Sequence, residues 1–117
     1  MPSPRGFCVT YASARRLDAD HAAYLTHGGL LLGIADAEPA PELGQPIDVR
    51  IVHGERAFNL SGEAGHRRPG RGLMVSFEGF SPEEREALDA YMVSDGFRAE
   101  KRSESPGEGP SPDVQPL

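Results

Sequence analysis

The sequence has no tryptophan and a single cysteine, Cys8. One cysteine excludes an internal disulfide and any zinc site built on several thiolates. Basic residues are in deficit, with 12 Lys and Arg against 18 Asp and Glu, for a formal charge of −6. A chain so acidic lacks the surface that neutralises phosphates, so nucleic acid is not expected as a main partner. Long apolar runs are missing too. The longest near the middle, Leu30-Leu-Leu-Gly-Ile-Ala35, is far too short for a bilayer, and no membrane insertion is expected. The opening Met1-Pro-Ser-Pro-Arg5 lacks the apolar stretch of a secretory leader, so the expected location is the cytoplasm.

Glycine and proline are plentiful, 14 and 11 in 117 residues. That density punctuates the chain with turns and favours short strands over a helical bundle. Residues 7–11, 22–26, 30–34, 47–51, 57–63 and 73–77 read as six short strands. Ile47, Val49 and Ile51 alternate with Asp48 and Arg50, and Leu73, Val75 and Phe77 alternate with Met74 and Ser76. Each pattern is that of a strand with one buried face. His53-Gly-Glu-Arg56 reads as a hairpin turn, with Phe58 and Leu60 pointing inward on the return. Ser81-Pro-Glu-Glu84 opens a helix over about 81–95, with a capping serine, proline at the first position and a capping-box glutamate. Ala87, Leu88, Tyr91 and Met92 form its apolar stripe, and Gly96 its stop. The expected fold class is therefore all-β with a C-terminal helix, a six-stranded antiparallel barrel plugged by that helix, within one domain over 1–97. Residues 98–117, rich in Pro, Gly and Ser, read as a disordered tail, since so few apolar side chains cannot offset the ordering entropy.

Catalytic chemistry finds no local pattern. His21, His27, His53 and His66 are scattered without metal-ligand spacing, Ser61 and Ser76 have no adjacent base, and Cys8 sits in a strand as a small hydrophobe. No catalytic residue, metal or cofactor is expected, and the chain reads as a non-enzyme.

The order of parts is more informative. Tyr24-Leu-Thr-His-Gly-Gly-Leu-Leu-Leu32, Glu42-Leu-Gly-Gln-Pro-Ile-Asp-Val49, Leu60-Ser-Gly-Glu63, Gly72-Leu-Met-Val-Ser-Phe77 and Phe80-Ser-Pro-Glu-Glu84 follow one another. The chain from about Arg5 to Asp95 resembles the PilZ domain family, in which such segments recur in this order. The resemblance implies a six-stranded antiparallel PilZ-like barrel with a C-terminal helix. Members that bind cyclic di-GMP carry Arg-x-x-x-Arg ahead of the barrel and Asp/Asn-x-Ser-x-x-Gly on it. Two guanidiniums clamp the phosphates, short polar side chains meet the base edge, and glycine permits close approach. The second motif falls here on Tyr24, Thr26 and Gly29, with a bulky phenol in place of the acid or amide. The first is absent, since only Arg5 precedes the first strand while Arg15 and Arg16 are adjacent and beyond it.

A literal Arg-x-x-x-Arg, Arg67 to Arg71, lies in the polar loop before the last strand, the wrong place for the clamp. With His66 and Arg68 it forms a candidate basic protein-contact patch on an acidic molecule. The resemblance implies an atypical PilZ-like adaptor that makes protein–protein contacts with a partner of unknown identity. Its implied setting is bacterial motility, cell polarity or type IV pilus regulation, and cyclic di-GMP binding is not expected. The alternative is a nucleotide receptor with a degenerate site using Arg5, Arg15 or Arg16 with Thr26 and Gly29.

Overall fold

In the computed structural model, residues 5–33, 42–68, 72–77, 82–107 and 109–117 are described. The strands are β1 (Arg5–Tyr11), β2 (Gly29–Leu32), β3 (Pro46–His53), β4 (Arg56–Arg68), β5 (Gly72–Ser76) and β6 (Asp113–Pro116). The helices are α1 (Ala14–Ala23), α2 (Pro82–Met92) and α3 (Asp95–Ser103), with a 3₁₀ turn at Leu25–His27. The strands form one curled, mixed sheet in the order β2-β5-β4-β3-β1-β6, a half-barrel flanked by helices.

The β3–β4 hairpin is built as its sequence dictates. His53 pairs with Arg56, leaving Gly54 and Glu55 as the two-residue loop, and Gly54 takes the positive φ of 60° that such tight turns favour. On β3, Ile47, Val49 and Ile51 are buried; on β4, Phe58, Leu60 and Ala64 face the same interior. Phe7, Val9 and Tyr11 of β1, Leu30 and Leu32 of β2, and Leu73 and Val75 of β5 complete the sheet's share of the core, beside Phe77 just past β5. The helices add Leu17, Leu88, Met92 and Phe97. Each buried Val, Leu, Ile, Phe or Met among them contributes roughly 1.5–3 kcal/mol by leaving water.

Three expectations change. The sheet is not purely antiparallel, because β1 runs parallel to β3, Arg5 opposite Ile47 through Tyr11 opposite His53. A parallel pair needs a long crossover, and α1 with β2 supplies it. Residues 22–26 are not a strand, since they fall in the end of α1 and the 3₁₀ turn. Ser13 starts that helix by accepting the Arg16 N–H at 3.1 Å, and Ala14 and Leu17 are its buried face.

The third change concerns the C-terminus. Residues 95–103 form α3, capped by Ser94, and 113–116 form the sixth strand where the sequence suggested a tail. Gly96 is accordingly inside α3 rather than the stop of α2. Glu104 anchors the crossing segment, its carboxylate accepting from Ser13 Oγ at 2.7 Å and from the N–H groups of Ala14 and Arg15 at 2.6 and 3.2 Å. The expected capping serine, Ser81, lies outside the described residues; Glu84 accepts the Asn59 N–H at 3.2 Å.

Candidate functional site

The strand β1 ends on Tyr11, whose hydroxyl donates to Asp20 Oδ2 at 2.7 Å across the turn into α1. Asp20 is 8% exposed on the buried face of α1, and its other oxygen lies 3.2 Å from Arg16 Nε, one helical turn earlier. A carboxylate at such depth needs this pairing, because an uncompensated buried charge is strongly destabilising. Burial first, then the Asp20 charge, pushes the Tyr11 hydroxyl far above its ordinary pKa. The Arg16 guanidinium is thus engaged within the fold.

Tyr24 follows as the C-cap of α1, and its carbonyl accepts the N–H groups of His27 and Gly29 at 3.0 and 3.1 Å. It lines two open clefts. One, of about 420 Å³, lies between the outer strands, with Leu31 and Gly33 from one side, Asp113 and Val114 from the other, and Arg16 and Asp20 beneath. The other, of about 400 Å³, is lined by Tyr24, His27, Gly29, Met74 and Ser76.

The positions matching the nucleotide motif are therefore only partly brought together. Tyr24 and Gly29 share the second cleft, and Tyr24 and Arg16 share the first. Thr26 lines neither, and its hydroxyl donates to the Ala22 carbonyl at 3.0 Å. Gly29 has a structural reason to be glycine, since a Cβ there would meet the Val75 carbonyl at 2.9 Å. Arg5 starts β1, its guanidinium 5.3 Å from the Phe7 ring centroid. At about 3.3 Å per residue it stands roughly 20 Å along the strand from Tyr11 and α1. Arg15 gives its backbone N–H to Glu104.

The candidate basic patch is also rearranged. β4 continues through Arg68, with Arg67 opposite Leu73 and Arg68 opposite Gly72, so His66, Arg67 and Arg68 belong to a strand end rather than a loop. A register shift between Ala64 and Arg67 bends the strand there, and His66 is exposed. Arg71 lies outside the described residues.

One polar cluster escaped sequence reasoning. His53, 3% exposed, has Nδ1 2.7 Å from the Tyr91 hydroxyl of α2 and Nε2 3.5 Å from Glu100 Oε2 of α3. Nδ1 is thereby hydrogen-bonded and Nε2 faces a carboxylate at longer range, from two helices that meet the sheet here. Phe97 packs edge-on against the imidazole, and the Arg56 guanidinium lies 5.2 Å over the Tyr91 ring. Burial and the nearby Glu100 charge raise the Tyr91 pKa, while Arg56 opposes them. The signal was available, because β3 alternation places His53 on the same face as Ile47, Val49 and Ile51. Its partners, 38 and 47 residues away, left no local motif.

Among the described residues, no three His, Cys, Asp or Glu side chains are grouped to hold a metal ion, and no helix is long and apolar enough to cross a membrane. Cys8 is half-buried on β1 with Sγ 3.8 Å from Thr10 Oγ1. Comparison with known proteins returns no matching protein family, no similar curated protein and no similar solved structure.

Proposed function

We propose that this chain is a non-enzymatic, atypical PilZ-like interaction domain of the cytoplasm that makes protein–protein contacts and does not hold cyclic di-GMP. In this reading the curled sheet is that family's barrel, opened between β2 and β6. The observation that carries the reading is the engagement of Arg16 by Asp20 beside a phenol, Tyr24, at the motif position where a small polar group belongs. A dinucleotide needs two guanidiniums together, and Arg5 stands at the far end of β1 from Arg16. Surface behaviour, such as motility, polarity or pilus control, is the setting that fits such a domain, on the resemblance alone.

Calorimetric titration with cyclic di-GMP tests the proposal. No heat of binding is expected at concentrations up to about 100 μM, and a Kd in the micromolar range, about −8 kcal/mol, would overturn it. A second reading, a degenerate nucleotide receptor, is favoured by one observation, the shared cleft of Tyr24, His27 and Gly29. It requires that a nucleotide raise the melting temperature and that Arg15→Ala or Arg16→Ala abolish the rise in a folded chain.

A further inference from the structure

The strand β6 closes the free side of β1 with very little. Four residues pair, Thr10 opposite Asp113, Val9 opposite Val114, Cys8 opposite Gln115 and Phe7 opposite Pro116, and Leu117 adds one backbone bond to Gly6 beyond them. Val114 is their only side chain that is even half-buried, and it lies opposite fully buried Val9. Among the described residues, the side-chain hydrogen bond on β6 stays within it, Gln115 Nε2 donating to Asp113 Oδ2 at 3.0 Å. Ahead of it run Pro106, Gly107, Gly109, Pro110 and Pro112, described residues that belong to neither helix nor strand.

The register explains how a proline-rich segment can be a strand at all. The Leu117 N–H donates to the Gly6 carbonyl at 2.9 Å, so the polar backbone groups of Gly6, Cys8 and Thr10 face β6. Those of Asp113, Gln115 and Leu117 face back. Pro112 and Pro116 fall on the alternate positions, where a missing N–H faces away from the ladder, and they blunt the new outer edge. Beneath this cover β1 is a seven-residue strand with no proline and a glycine, Gly6, at the place where Leu117 crosses. At seven residues, it is longer than the cover now seated on it, which reaches from Thr10 to Gly6.

We propose that the outer edge of β1 is a strand-acceptor site, filled in the resting chain by its own β6 and filled in the working complex by an extended segment of a partner protein. The partner segment runs antiparallel to β1, carries an aliphatic side chain opposite Val9, keeps its N–H groups opposite Cys8 and Thr10, and accepts proline at the alternate positions. It gains over β6 by running the full length of β1. This rests on the reading of the chain as a protein-contact domain and names the surface and the partner's chemistry. The tether through residues 104–112 keeps β6 at a local concentration of order millimolar, so a free peptide competes only when β6 is weakened.

The probe is a synthetic peptide of residues 109–117, labelled and titrated into the full-length chain and into full-length Val114→Asp. The variant should keep its near-ultraviolet circular dichroism and bind the peptide at least about tenfold more tightly than the unaltered chain. A peptide carrying Val114→Asp should bind neither chain. Absence of binding to a folded variant overturns the proposal. If the variant fails to fold, amide exchange of the unaltered chain decides. Cys8 and Thr10 should exchange at least about tenfold faster than Val49 and Phe58 through local opening. Exchange of all four at one rate makes β6 integral to the fold and overturns the proposal. Light scattering that shows a strand-exchanged dimer assigns the edge to a second copy and also overturns it. Nucleotide titration judges the adaptor reading separately, so a failed peptide experiment leaves that reading standing and removes only this edge.

Discussion

His53 Nδ1 and the Tyr91 hydroxyl lie 2.7 Å apart, joining the end of β3 to α2 inside the core. The pair ties α2 to the sheet, while α3 brings Glu100 to 3.5 Å from the opposite nitrogen and Phe97 against the ring. Tyr91→Phe leaves a buried ring nitrogen without its partner, which costs about 1–3 kcal/mol. Urea unfolding should show the midpoint lowered with an unchanged slope. Adding His53→Leu to that variant should cost less than the sum of the single changes, since both polar ends are then gone.

Tyr11 and Asp20 offer a second coupled pair. Asp20→Ala strips a buried hydroxyl of its acceptor and removes the carboxylate beside Arg16, and about 1–3 kcal/mol is the expected loss. A cycle with Tyr11→Phe should give a coupling of roughly 0.5–3 kcal/mol. Additive losses would mean that the 2.7 Å contact carries no energy.

Glu104 gives the fold a pH dependence of known sign. Desolvation raises its carboxyl, but hydrogen bonds from Ser13 and from the Ala14 and Arg15 N–H groups outweigh it and hold the pKa below 4.5. A depressed carboxyl stabilises the fold above its unfolded pKa, and that contribution fades as pH falls through the folded value. Unfolding curves of the unaltered chain and Glu104→Gln should therefore differ at neutral pH and converge in acid below the ordinary carboxylate range. Curves still apart there would show that the carboxylate's charge is not what stabilises α1.

Gly72→Ala is expected to be among the most damaging small changes. Gly72 has φ of +129°, and a Cβ there would run into the Leu32 carbonyl on the neighbouring strand. Strain of this kind costs about 1–3 kcal/mol before the collision is counted. Thermal unfolding should register it as a fall of several degrees or more.

The legible parts of the fold were those whose buried faces alternate without interruption. The β3–β4 hairpin and β5 follow from Ile47, Val49, Ile51, Phe58, Leu60, Leu73 and Val75, all buried as their spacing requires. Helix α1 was hidden because Asp20, a charged residue, occupies its inner face and breaks the apolar period that Ala14 and Leu17 begin. Strand β6 was hidden because proline density signals loop, whereas here the prolines alternate along an edge and only the register reveals it. Nor could any local pattern announce the parallel pairing of β1 with β3, which depends on the length of what lies between. Of the nucleotide-motif positions, Tyr24 and Gly29 do share a cleft, while the separation of Arg5 from Arg16 follows from the strand between them.

That parallel pairing sets an order of events on the ribosome. Arg5 must meet Ile47, so β1 leaves the exit tunnel with no strand to receive it until about forty more residues have been added. At about 5–20 residues per second the wait lasts roughly 2–8 seconds. The β3–β4 hairpin, whose strands are adjacent in sequence, is expected to form first and offer β1 its template.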